Sequence, residues 1–172
     1  DQEDTAAFFV NAIAEELDVM TVSAVTSELS LDLVPPQEMT RTFKKKTAID
    51  ATPARTVEEA IEFARRRNRD AILWVSVHEF TDRIGSSMGA SRPASVSFSI
   101  DLIRVTDRKL LWSSTYHFTE TAISDNLFHL GDMANKGQKV GWRPAREIFL
   151  DGMRSAAKEL AGRRISQLAS DK

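Results

Sequence analysis

Residues 95–119 read SVSFSIDLIRVTDRKLLWSSTYHFT, and this stretch decides the fold class. Val96, Phe98, Ile100 and Leu102 alternate with Ser97, Ser99 and Asp101; Leu110, Trp112, Tyr116 and Phe118 form a second apolar set after a polar interval. Such period-two patterning marks half-buried strands, because successive side chains point to opposite faces. Two runs in succession predict an antiparallel hairpin with one apolar face. Parity constrains the connection between them. A two-residue turn at Asp107-Arg108 would set Phe98 opposite His117 and mix the faces. An odd loop, most simply three residues, sets Phe98 opposite Tyr116 or Phe118 and keeps each face consistent. Trp112 then belongs to the core.

Working outward, residues 71–80 read AILWVSVHEF and are apolar on both faces, which predicts a central strand covered on both sides, with Trp74 in the core. The helix before it is announced by Thr56-x-x-Glu59, a capping-box pattern. Val57, Ala60, Ile61 and Ala64 form its apolar stripe, Arg65–Arg67 suit its C-terminal dipole, and Asn68 is the expected C-cap. Gly85, Gly89 and Pro93 make 81–94 a loop. Pro144 opens a last helix along which Ala145, Phe149, Met153, Ala156 and Leu160 recur at helical spacing.

The N-terminal third is less regular. Asp4 or Thr5 caps a first helix bearing Phe9, Ile13 and Leu17, and the period then fades; 19–26, rich in β-branched residues, fits strand or irregular chain. Leu29, Leu31 and Leu33 alternate, which predicts a strand over 29–34 ended by Pro35, with Pro36 starting a short helix through Met39 and Phe43. Ser124-Asp125-Asn126 is a further cap. The sum is an α/β fold of the α+β type. One domain spans 1–172, with a three- to five-stranded, mainly antiparallel or mixed sheet and helices chiefly on one face.

Composition excludes several classes. The chain has 172 residues, 42% hydrophobic and 28% charged, ordinary values for a globular domain. A net charge of −2 provides no field for nucleic acid or an anionic membrane surface. The absence of cysteine excludes disulfides, thiolate catalysis and Cys-based zinc sites. Opening at Asp1 suggests a processed or a trimmed protein, so that any signal peptide or lipid-bearing cysteine would precede this chain.

No residue set carries a strong catalytic signature, and neither a cofactor nor a metal is expected. Ser99, Asp101 and His117 share the polar face of the hairpin and are the residue types of a nucleophile triad. The rival explanation is a plain polar sheet face, since triads draw on shaped clefts and no G-x-S-x-G turn is present. His78, His117 and His129 lack metal-ligand spacing. The 83–92 segment could present backbone N–H groups and Arg83 and Arg92 to an anion, yet it fits no phosphate-loop pattern. A flexible strand connection is the plainer reading, though loops of this kind also serve as contact surfaces. Arg83, Met88 and Arg92, together with Trp142 before the last helix, are residue types that anchor protein interfaces. The plain alternatives are a mobile connector and a Trp142 that packs where the helix begins.

DAILWVSVHEF (70–80), PASVSFSIDLIRVTDRKLLWSSTYHF (93–118), LVPPQEM (33–39) and SDNLFHL (124–130) together resemble a group of bacterial cell-envelope lipoproteins. The pattern is also similar to the α/β domains of curli-secretion CsgG-type proteins, the TolB amino-terminal domain and LpoB-type lipoproteins. The resemblance implies a periplasmic domain tethered to the outer membrane through a lipid and working through protein contacts, with an envelope protein or a second copy as partner. Such domains usually open with a strand, whereas a helix comes first here. The resemblance supplies no catalytic residues.

Overall fold

The computed structural model describes residues 2–29, 31, 33–38, 56–86, 89–119 and 143–170. Its elements are α1 (Gln2–Glu28), α2 (Val57–Arg66), β1 (Ala71–Thr81), β2 (Ile84–Ser86), β3 (Gly89–Arg92), β4 (Ser95–Arg104), β5 (Leu110–Thr119) and α3 (Ala145–Ser170). β1, β4 and β5 form a three-stranded antiparallel sheet in the order β1-β4-β5, against which helices pack, and β2 and β3 form a small second sheet. This is the expected α+β class. The described chain divides into two compact units, Asp1–Trp74 with Asp101–Trp112 and Met153–Lys172, and Val75–Ile100 with Ser113–Gly152.

In the first unit α1 runs without interruption through the segment whose pattern left strand or irregular chain open. Val25 and Ala24 are buried there, and the hydroxyls of Thr26 and Ser27 bond back to helix carbonyls. Thr26 Oγ1 donates to the Val22 carbonyl at 2.7 Å and Ser27 Oγ to the Ala24 carbonyl at 2.8 Å. The strand expected over 29–34 is not formed by its described residues. The Leu29 N–H still donates to the Val25 carbonyl, Leu29 is buried, Leu31 is exposed, and helical structure resumes at 36–38. Three alternating leucines thus mark the way out of a helix. Met39, Phe43 and 124–126 lie outside the described residues.

The capping box of α2 forms as read. The Glu59 N–H donates to Thr56 Oγ1 at 3.2 Å, and the Thr56 N–H donates to Glu59 Oε2 at 3.1 Å. Arg67 is the C-cap, and Asn68 follows at φ 51°, a left-handed position that asparagine tolerates. Ile61 and Ala64 bury with Val105, and Val57, Ile72 and Ile103 pack around them. Trp112 is 5% exposed, a core residue as its parity required, and its indole N–H donates to Glu159 Oε1 at 3.3 Å. Trp74 is only half-buried.

The second unit is built on aromatic packing. Val96, Phe98 and Ile100 of β4 are buried on one face. Phe98 stacks on Tyr116 with ring centroids 5.1 Å apart and meets Phe149 of α3 at the same distance, and Phe149 also receives Phe80 edge-on. Ser95 Oγ lies 3.0 Å from Thr119 Oγ1. Both cross-strand pairs fit the register in which Phe98 faces Tyr116, as parity required. The connection is odd but longer than three residues, because five (105–109) separate the strand ends. Val105 turns its N–H to the Asp70 carbonyl at 2.8 Å. Asp107 builds the turn, accepting the Lys109 N–H and the Arg104 guanidinium, with Arg108 left-handed at φ 60°.

Two strand expectations need correction. Among the described residues β1 is an edge strand, with β4 in the middle. Its Val77, His78 and Glu79 are consecutively exposed, so it is not covered on both sides. Phe80 reaches the aromatic cluster while His78 reaches the opposite face, so alternation slips between them, as at a bulge. The second correction concerns 81–94, whose described residues include two paired strands, β2 and β3, in place of the expected loop.

Candidate contact surface

The ribbon follows from the sequence once its glycines are placed. Ile84 pairs with Arg92, Gly85 with Ala90 and Ser86 with Gly89, antiparallel, with an irregularity between Ile84 and Gly85. The pairing leaves Ser91 as the extra residue, and its Oγ donates to the Ile84 carbonyl at 3.2 Å. Gly85 sits at φ 121°, a conformation closed to most side chains, so it permits the kink. Short connections, 82–83 and 93–94, join the ribbon to β1 and β4.

Its surface is open. Ile84 is 52% exposed, and Gly85, Ser91 and Arg92 are exposed as well. An isoleucine held in solvent on a hydrogen-bonded ribbon, with a guanidinium opposite, is an unusual use of a β-branched apolar residue. Its rigidity lowers the entropic cost of binding. Of the four predicted contact residues, Arg92 stands on β3 and half-buried Arg83 at the ribbon's root. Met88 and Trp142 lie outside the described residues. Ile84 escaped the sequence reading because a lone apolar residue in a Gly/Ser run looked like loop. The signal available was a glycine in each half of the run, Gly85 and Gly89, between Ile84 and Arg92.

The polar sheet face arranges its hydroxyls differently from the triad reading. Ser99 Oγ lies 3.1 Å from Nε2 of His78 on β1, while the β4/β5 register places Thr115 opposite Ser99 and Ser97 opposite His117. His78 was weighed only for metal-ligand spacing and not as a partner of Ser99, because its strand reads as buried on both faces. Both imidazoles are exposed, and Ser99 and Asp101 are half-buried. Among the described residues no group of three or more His, Asp or Glu is placed to hold a metal ion, and no helix is long and apolar enough to cross a membrane.

No protein-family model matches the chain, and no curated protein matches it. Solved structures do. The chain is similar to a PelC dodecamer from Paraburkholderia phytofirmans, at 19% identity over 71% of this chain and 69% of that one, with a TM-score of 0.40. It is also similar to the lipoprotein GNA1162 from Neisseria meningitidis, at 19% identity over 69% of this chain and 82% of that one, with a TM-score of 0.45.

Proposed function

We propose that this chain is a non-enzymatic contact domain of the bacterial cell envelope, an adaptor or scaffold that engages a protein partner through the β2–β3 ribbon. The observation that carries this reading is solvent-held Ile84 opposite Arg92 on a hydrogen-bonded ribbon. An apolar side chain beside a guanidinium is a common pairing at protein interfaces, where the first supplies buried area and the second forked hydrogen bonds. In this reading 1–172 works as one domain, in keeping with β1, β4, β5 and α3 each contributing residues to both compact units. The domain is periplasmic and held at the outer membrane by a lipid upstream of Asp1. Its partner is an envelope protein or a second copy of itself. Co-isolation from envelope extracts, comparing wild type with an Ile84→Asp/Arg92→Ala variant, tests this. The variant keeps its fold and loses the partner; an unchanged partner profile would overturn the reading.

The Ser99–His78 hydrogen bond favours a second reading, a hydrolase with His78 as base in place of His117. Turnover of a p-nitrophenyl ester that Ser99→Ala abolishes in a folded protein would establish it.

A further inference from the structure

We infer that Asp82 is a positioning residue that couples the contact ribbon to the first turn of α3; the functional sense of this coupling rests on the contact reading above. Asp82 lies between β1 and β2, and its Oδ1 accepts two backbone N–H groups. One is that of Arg83, at 2.9 Å, where the ribbon begins. The other is that of Ala145, at 3.0 Å and 63 positions away.

The second bond fills a gap the local sequence leaves open. The Pro144 carbonyl accepts from Glu147 and Ile148, which makes Pro144 the N-cap and Ala145 the first helical residue. Proline has no side-chain acceptor with which to cap the helix, so the acceptor for the Ala145 N–H comes from elsewhere in the chain, and its carboxylate adds to Glu147 of the first turn at this end of the dipole. Ala145 is fully buried, and so is Ala94 at the ribbon's other root. The approach to the helix is also held, since Arg143 pairs with Asp151 at 2.9 Å and lies over the Phe118 ring. One carboxylate oxygen therefore joins an anchored helix turn to an exposed ribbon. A displacement of the Pro144–Ala145 turn changes the hold on Arg83 without touching the contact surface.

Hydrogen exchange on the full chain tests this without a partner. Ala145→Pro removes the distant donor at a helix position where proline is well accommodated. The expected result is exchange about tenfold faster over 84–92, the scale of a lost cap, with 57–66 unchanged. Unchanged ribbon exchange in a folded Ala145→Pro protein would overturn the coupling. Should that variant not fold, Asp82→Ala and Asp82→Asn decide. Joint loosening of 84–92 and 145–149 in the alanine variant, restored by asparagine, supports the coupling; loosening of the helix turn alone refutes it. Ribbon variants that keep every partner would remove the contact reading and leave these exchange results standing.

Discussion

Gly152 and Gly162 lie on the same helix, but alanine should stabilise only at Gly162. A mid-helix glycine costs about 1 kcal/mol relative to alanine, so both substitutions gain that much from backbone entropy. At Gly162 nothing lies within 4 Å of an added Cβ, and the gain is expected in full. At Gly152 the new carbon would sit 2.8 Å from Cδ1 and Cε1 of Tyr116 and 2.9 Å from Cζ of Phe98. These atoms belong to a stacked pair, and Phe98 is fully buried between Tyr116 and Phe149, so the rings cannot simply swing away. Overpacking of this kind costs about 1–3 kcal/mol, which cancels or outweighs the propensity gain. Gly152→Ala should therefore fall about 1–3 kcal/mol below Gly162→Ala, a gap of roughly 2–12 °C in melting temperature at this chain length. Denaturant melts of the two single variants measure it. Equal stabilisation by both would refute the close approach of α3 to the aromatic stack.

Three further expectations follow from the core and the turn. Trp112→Ala should cost about 3–5 kcal/mol, while Trp112→Phe, which keeps most of the apolar bulk and loses the bond to exposed Glu159, should cost far less; urea midpoints check both. Tyr116 is the only tyrosine, so alkaline absorbance reads it directly. Burial raises its pKa above the usual value near 10, and its contribution to stability is present below that value and lost as pH rises through the folded midpoint. The Asp107 carboxyl is held below the usual carboxylate range, chiefly by the Lys109 N–H and further by Arg104. Its turn contribution is present above that range and lost as pH falls through the lowered midpoint, and NMR titration with Asp107→Asn as control should show this.

The central hairpin was legible because two signals agree there. Period two identifies the strands, and parity excludes a two-residue turn. The length of the connection was not legible, because it depends on Val105 turning toward Asp70, a tertiary event. The α2 cap was legible because Thr56 and Glu59 satisfy each other locally. α1 was hidden by β-branched residues whose weak helix propensity is overridden by burial of Val25 and by hydroxyls bonding back to carbonyls. The edge position of β1 was hidden too, since an apolar run can signal a buried strand without showing where its exposed residues lie. At the candidate surface Arg92 was legible by residue type, whereas Ile84 and Asp82 acquire meaning only from the ribbon register and from a bond to a helix 63 positions away.

The account rests on the ribbon being the surface that meets a partner, and photo-crosslinking in living cells tests that directly. A benzophenone side chain placed at position 84 is compared with one at Glu58, an exposed position on α2. The contact reading predicts a discrete adduct of one partner from position 84 and none from Glu58. Adducts from Glu58 with none from position 84, in a protein that remains folded, would contradict it.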